Sequence, residues 1–169
     1  MVVRTLKMIT MKSMERTISI IVGILSLILI LWLVYNQLCE NLLETDPKIE
    51  QIKEIIMPLF SGNIQYEGVL EPLNKRKLLD EVRIFVGDKS YTINKEKIYL
   101  CLKDENSNYY DDNMLIYVLL HEISHVICSE IGHTPLFHKI FEKLLKKAEE
   151  LQIYNSQKPI IMNYCMYQK

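Results

Sequence analysis

An uncharged apolar run at residues 17–36 most constrains what this chain can fold into. It reads TISIIVGILSLILILWLVYN, and about 20 residues of helix span roughly 30 Å, the thickness of a bilayer's hydrocarbon core. Trp32 and Tyr35 lie near its C-terminal end, where aromatic side chains favour the membrane interface. We therefore predict a transmembrane helix at residues 17–36. The alternatives are a buried core helix, which usually has a polar face, and a signal peptide, which would need a small-residue cleavage site.

The charges that flank this run predict an orientation. Residues 1–16 form a basic segment with Arg4, Lys7, Lys12 and Arg16 against the single acidic Glu15. Under the positive-inside rule, this segment lies in the cytoplasm and the rest of the chain lies across the membrane. We therefore expect a single-pass membrane protein with a cytoplasmic N-terminus.

The remaining residues have the composition of an ordinary globular domain, which we place at residues 46–169. Residues 40–169 carry every acidic side chain except Glu15 and every basic side chain except the four above. Acidic side chains therefore outnumber basic ones here, and this part of the chain is mildly acidic. A nucleic-acid-binding domain would show a basic stripe, so we expect no nucleic-acid partner. Four cysteines, with no CxxC pair, argue against a thiolate zinc ribbon and leave the redox compartment open.

Apolar periodicity and turn residues predict an α+β domain. A helix is expected from the Asp46-Pro47 cap to Pro58, followed by a short strand at residues 64–70. Alternating residues at 81–86, with further strands at 91–93 and 97–102, predict a small antiparallel sheet of three or four strands.

Two more helices are expected after the sheet. The first is capped by Asp111-Asp112, is apolar nearly all round, and should run to about Ile131 with Gly132 as its stop. The second begins at Thr134-Pro135 and should end near residue 152. No element is predicted for the tail at residues 154–169.

The first of these helices contains HEISH at residues 121–125, an HExxH motif. Residues four apart share a helix face, so His121 and His125 can bind one Zn²⁺ ion. Glu122 is rotated about 100° from His121, which places its carboxylate beside a zinc-bound water as a general base. All four histidines of the chain lie within residues 121–138, and unpaired imidazoles in an apolar helix are costly. The alternative is a solvated polar face without metal.

A catalytic zinc usually has three protein ligands and one open position, and His133 is the predicted third ligand. Gly132 can turn the chain back toward the metal at that point. A capping or surface role is the alternative for His133. The weaker candidates for a metal ligand are Cys128 and the carboxylates of the next helix, Glu142, Glu149 and Glu150. His138 is a weaker candidate for a residue beside the site. Either tyrosine of the tail, Tyr154 or Tyr164, could donate a hydrogen bond to an oxyanion.

The run HEISHVICSEIGHTPLFHKIFEKLL resembles the WLM/SprT-like zinc metallopeptidases, including small membrane-anchored members encoded by large DNA viruses. The resemblance covers residues 111–151 and includes Phe137 at the start of the second helix. It implies a compact zincin-like core and peptide-bond hydrolysis, with His121, His125 and His133 as ligands and Glu122 as the base. It also implies a viral or a host internal membrane for the anchor. The metzincin spacing is absent, because residue 128 is Cys and residue 131 is Ile. The chain also lacks the basic additions of DNA-repair relatives.

The sequence thus predicts an N-terminal transmembrane helix followed by a zincin-like domain, with the sheet packed on the HExxH helix. The expected function is a zinc-dependent metallopeptidase that hydrolyses a protein or peptide substrate through a Glu-activated zinc-bound water. The alternatives are a membrane protein with a structural zinc, closed for example by Cys128, and an interaction domain without metal.

Overall fold

The structure is a computed structural model that describes residues 2–44, 46–75 and 77–165. The chain divides into two compact units, residues 1–41 and 42–169. The order of elements is α1 (Val2–Glu44), α2 (Pro47–Phe60), α3 (Leu78–Glu81), β1 (Arg83–Val86), β2 (Tyr91–Ile93), β3 (Lys97–Leu100), α4 (Asp112–Ile127) and α5 (Pro135–Glu150). The chain is therefore a mixed α+β protein with one small sheet.

Helix α1 contains the apolar run and extends beyond it at both ends. Its segment Arg16–Cys39 is long and apolar enough to cross a membrane, and none of that segment is buried. The predicted span at residues 17–36 lies inside it. The basic residues that precede the span, from Arg4 to Arg16, belong to the same helix.

Helix α2 begins as its sequence predicts. The carboxylate of Asp46 accepts a hydrogen bond of 2.8 Å from the backbone N–H of Lys48, and Pro47 is the first helical residue. The predicted end at Pro58 is wrong, because the helix continues to Phe60. Proline has no backbone N–H and therefore cannot donate a helical hydrogen bond. Pro58 lies in the last turn of α2, and the helix ends only two residues after it.

The predicted strand at residues 64–70 is also wrong. The chain is irregular up to Glu67, and Gly68–Lys75 forms a 3₁₀ helix. The side-chain amide of Asn74 pairs with the backbone N–H and C=O of Tyr66, both at 2.7 Å. These bonds satisfy backbone groups that would otherwise need a neighbouring strand.

The sheet has three strands in the order β1-β3-β2, and it is mixed rather than antiparallel. β2 pairs with β3 in the antiparallel sense, as predicted, but β1 pairs with β3 in the parallel sense, with Ile84 opposite Ile98. β3 lies between the two strands that precede it, so β2 forms one edge of the sheet. Alternation of apolar residues has the same period in both pairing senses, which is why it could not reveal the parallel pair.

The inner face of the sheet packs on α4, and α4 packs on α2 and α5. Helix α4 is buried nearly all round, as predicted, and Asp111 caps its start by accepting from the N–H of Asn113. Its predicted end at Ile131 is wrong, because the helix stops at Ile127 with Cys128 as its C-cap. Ile131 is 93% exposed, so nothing in the core supports another helical turn there. Helix α5 ends at Glu150, close to the predicted position.

The tail is attached to the end of β3. Cys165 forms a disulfide with Cys101, while Cys39 and Cys128 are free. Beside the disulfide, the hydroxyl of Tyr164 hydrogen-bonds the carbonyl of Cys101 and lies 3.1 Å from the hydroxyl of Ser90. The sequence left the pairing of the cysteines open, and the last residues of the predicted domain, 166–169, lie outside the described part.

Candidate metal centre

A stripe of half-buried positions runs along the otherwise buried helix α4. It consists of Tyr117, His121 and His125, spaced by four residues, while the other positions from Asn113 to Ile127 are buried. Because residues four apart share a helix face, this stripe is the open side of the helix. The two histidine rings lie along it with centroids 5.0 Å apart.

His133 reaches the same point from the loop after α4. Gly132 has a φ of 84°, a left-handed conformation that glycine adopts without a steric penalty, and it directly precedes His133. The Nε2 atom of His133 lies 3.0 Å from that of His121 and 3.1 Å from that of His125. The loop therefore brings together the three residues that the sequence predicts as ligands.

The three nitrogen atoms fit a single zinc ion. They all lie within 4.8 Å of one another. Zn–N bonds of about 2.0–2.1 Å at tetrahedral angles separate the nitrogens by about 3.3 Å, close to the separations found here. A neutral imidazole carries one N–H, so three Nε2 atoms pointed at one spot cannot all be satisfied by one another. A shared cation would resolve this, and three protein ligands would leave one tetrahedral position for water or substrate.

Phe137, the third residue of α5, supports all three rings. It is fully buried, and its ring stacks on His125 at 4.2 Å between centroids and meets His121 at 4.9 Å and His133 at 4.8 Å. The cap of α5 fixes its place, since the Thr134 hydroxyl accepts from the N–H of Phe137 at 3.3 Å. The ring of Phe137 therefore packs against all three imidazoles at once.

This surrounding favours the neutral form of His121 and His125. Burial, followed by the neighbouring histidine rings, lowers the pKa of His121 to about 4. The same cause, with His133 as the second contribution, lowers the pKa of His125. A neutral imidazole has the lone pair that a metal needs, so proton competition at His121 is weak near neutral pH.

Glu122 directly follows His121 in α4, and its side chain contacts the sheet. It is only 5% exposed, and its Oε2 atom accepts a hydrogen bond of 2.8 Å from the hydroxyl of Thr92 in β2. Burial raises the pKa of Glu122, and the bond from Thr92 partly opposes that rise. A buried carboxyl group with a raised pKa is suited to exchange a proton near neutral pH.

The weaker candidates lie outside this cluster. Cys128 is fully buried past the end of the helix, and its sulfur is not among the converging atoms of the described residues. Glu149 accepts hydrogen bonds from Ser156, and Glu150 pairs with Lys147. Glu142 and His138 are exposed, and the ring of His138 lies 6.3 Å from that of His133.

The two tail tyrosines are engaged elsewhere. The hydroxyl of Tyr164 hydrogen-bonds Cys101 and Ser90, and burial raises its pKa. Tyr154 is buried beside Tyr117, with ring centroids 6.0 Å apart. In the described part of the chain, no hydrogen bond joins either hydroxyl to the histidines.

Two residues near the site were not found from the sequence. Thr92 contacts Glu122, and the ammonium group of Lys95 donates a 2.5 Å hydrogen bond to the carbonyl of Cys128 at the end of α4. The sequence does contain a signal for Thr92. It is a polar residue between Tyr91 and Ile93 in a strand, so its side chain faces the side of the sheet opposite to theirs. No comparable signal marked Lys95, which lies in a turn with a positive φ.

Comparison with known proteins identifies viral relatives. The chain is 44% identical over 119 residues to "Uncharacterized protein 136R" of Invertebrate iridescent virus 6, covering 69% of this chain and 67% of that protein. It is 44% identical over 99 residues to "Uncharacterized protein 042R" of Invertebrate iridescent virus 3, covering 58% of this chain and 62% of the relative. A third uncharacterized relative, from Acanthamoeba polyphaga mimivirus, is 46% identical over 114 residues.

The chain covers less than two thirds of the second and third relatives, with 58% coverage of the mimivirus protein. No protein-family profile matches the chain, and no solved structure matches it. The identity and coverage to the first relative are nevertheless high enough to establish common descent. The chain therefore belongs to the same family as protein 136R of Invertebrate iridescent virus 6.

Proposed function

We propose that this chain is a membrane-anchored, zinc-dependent metallopeptidase with a zincin-like domain that resembles the WLM/SprT-like enzymes. One observation carries the proposal: the Nε2 atoms of His121, His125 and His133 converge on one point. The buried carboxyl group of Glu122 belongs to the residue that directly follows His121 on α4. Three histidine ligands with one open coordination position are typical of catalytic zinc, which supports a catalytic rather than a structural site.

In this mechanism the three imidazoles would hold Zn²⁺, and Glu122 would move the proton. Bound zinc lowers the pKa of water to about 7 and polarises a carbonyl group. The carboxylate of Glu122 accepts the proton of the attacking water and returns it to the leaving amine. Burial of Glu122 suits it to this double role, because it raises the pKa of the carboxyl group toward the working pH.

The edge strand β2 supports a peptide as substrate. β2 is unpaired on its outer side within the described sheet, and Thr92 of this strand contacts Glu122. An extended peptide can add to such an edge through main-chain hydrogen bonds. A peptide bound along β2 would therefore pass the strand residue that contacts the carboxylate of Glu122.

The test is a set of single substitutions in the full-length protein in detergent. We expect Glu122→Gln to bind one zinc per chain but to lose cleavage of a casein or quenched-peptide substrate. His121→Ala should lose the zinc. His138→Ala is the matched control, since its ring is exposed and lies outside the cluster, and it should keep both. Full cleavage by the Glu122→Gln variant would exclude this mechanism.

The second candidate function is a structural zinc site in a protein without catalysis. Its closed coordination would need a fourth protein ligand, such as Cys128. The buried free thiol of Cys128 is the observation that favours it. X-ray absorption at the zinc edge separates the two, because a sulfur ligand at about 2.3 Å supports the structural site and a nitrogen and oxygen shell supports the enzyme.

The membrane anchor and the disulfide together support a non-cytoplasmic location for the domain. The N-terminal segment is basic, and the domain contains the Cys101–Cys165 disulfide. Disulfides persist mainly in oxidising compartments. In a protease-protection assay on microsomes, we expect the domain to resist digestion until detergent is added. Digestion from the cytoplasmic side would reverse the orientation.

A further inference from the structure

Thr92 is the middle residue of the edge strand β2. Its neighbours Tyr91 and Ile93 are 43% and 39% exposed on the other face of the sheet, so its own side chain faces α4. Its Oγ1 atom lies 2.8 Å from Oε2 of Glu122 and 3.1 Å from the carbonyl oxygen of the same residue. One hydroxyl on the sheet thus contacts both the side chain and the backbone of Glu122.

The hydrogen bond from Thr92 involves only one of the two carboxylate oxygens of Glu122, Oε2. The hydroxyl of threonine has one proton to donate, and a bond to an ionised carboxylate is stronger than a bond to a carbonyl already used by a helix. Within the described residues, Thr92 is the hydrogen-bonding partner of the carboxylate, through Oε2. Oε1 therefore remains available to exchange a proton while Oε2 is held.

The attachment of the sheet to the helix does not depend on Thr92 alone. The ammonium group of Lys95, in the turn after β2, donates to the carbonyl of Cys128 at the end of α4. The inner residues of β3, Ile98 and Leu100, are also fully buried in the core. A loss of the Thr92 hydroxyl should therefore leave the packing of the sheet on α4 in place.

We propose that Thr92 is a positioning residue that holds Glu122 in its catalytic orientation and links that orientation to the strand on which the substrate binds. The proposal rests on the peptidase function proposed above. Because Thr92 belongs to β2, a peptide that adds to this edge stiffens the strand that carries the hydroxyl. Substrate binding and the orientation of the base are thereby coupled.

The test compares Thr92→Val, which has nearly the same shape without the hydroxyl, with Thr92→Ser, which keeps the hydroxyl. We expect Thr92→Val to lower kcat on a quenched peptide by about 10- to 100-fold, the effect of losing one hydrogen bond to a charged group. KM should change by less than about twofold, because peptide binding to the strand is retained. Thr92→Ser should restore most of kcat, and both variants should bind one zinc.

Tyr66→Phe is the matched control. It also removes a buried hydroxyl, one that donates a 2.7 Å bond to the carbonyl of Leu59, but it is not part of the site. We expect its kcat to equal that of the wild type. A Thr92→Val variant with wild-type kcat, or a Thr92→Ser variant as slow as Thr92→Val, would overturn the positioning role.

A second measurement does not depend on hydrolysis. In ¹³C NMR of the zinc-loaded full-length chain, the Glu122 carboxyl signal is assigned by its absence in Glu122→Gln. We expect this signal to shift in Thr92→Val and to return in Thr92→Ser. If the wild type cleaves no peptide, the peptidase function fails while this signal still reports on Thr92. An unchanged signal in Thr92→Val would overturn the positioning role by itself.

Discussion

Phe137 offers a test of how the apolar surroundings build the metal centre. It is fully buried and contacts the rings of His121, His125 and His133. Phe137→Ala should lower the free energy of unfolding by about 3–5 kcal/mol, as expected when a buried phenyl ring is removed and leaves a cavity. It should also weaken zinc binding by about 10- to 100-fold, because residues that orient metal ligands have effects of this size.

Leu144→Ala separates these two effects. Leu144 is fully buried on the same helix α5, about two turns beyond Phe137. It should lose about 2–5 kcal/mol of stability while its zinc affinity stays at the wild-type value. Unfolding is followed by circular dichroism in urea, and affinity by competition with a chromophoric chelator. Equal weakening of zinc binding in both variants would show that general destabilisation, rather than ring orientation, controls the site.

Three further outcomes are expected. Replacing Cys101 or Cys165 by Ser should lower stability by about 2–4 kcal/mol and make the thermal midpoint insensitive to reductant, because the disulfide closes a long loop with a separation of 64 residues. Cys128→Ala should keep one zinc per chain, and loss of the zinc would instead favour the structural site. Burial raises the pKa of Tyr66 from 10.0 to about 12, so the neutral phenol contributes fully to the free energy of unfolding below pH 10. This stability is lost as the pH rises toward 12 and the phenol ionises. Urea titrations should show a decrease of about 2 kcal/mol in the free energy of unfolding over this range, and Tyr66→Phe should lack it.

The local features of this protein could be predicted because each depends on neighbours in sequence. Asp46, Asp111 and Thr134 each accept a backbone hydrogen bond at the start of their helices, as their residue types indicate. The spacing of His121 and His125 places both on one face of α4 for the same reason. Such contacts follow from the geometry of a single helix.

The end of α4 shows where this reasoning stops. The apolar pattern continues through Ile131, yet the helix ends at Ile127 and Ile131 is exposed. His133 can reach His121 only if the chain leaves the helix early and turns at Gly132, which has a positive φ. The Lys95 ammonium group, from a distant turn, satisfies the carbonyl of Cys128 at this end. The stop is therefore decided by contacts between elements.

The sequence by itself determined the membrane-length apolar helix, the buried HExxH helix and the three histidines that can meet, because helix length, period and caps are local properties of the chain. Only the tertiary structure decided that β1 runs parallel to β3, that Cys101 pairs with Cys165, and that Thr92 reaches Glu122. Each of these joins residues far apart in sequence. The alternation of apolar residues is the same in parallel and antiparallel strands, and the spacing of cysteines does not reveal which of them pair. Contacts in the folded chain therefore decide the direction of strand pairing and the disulfide.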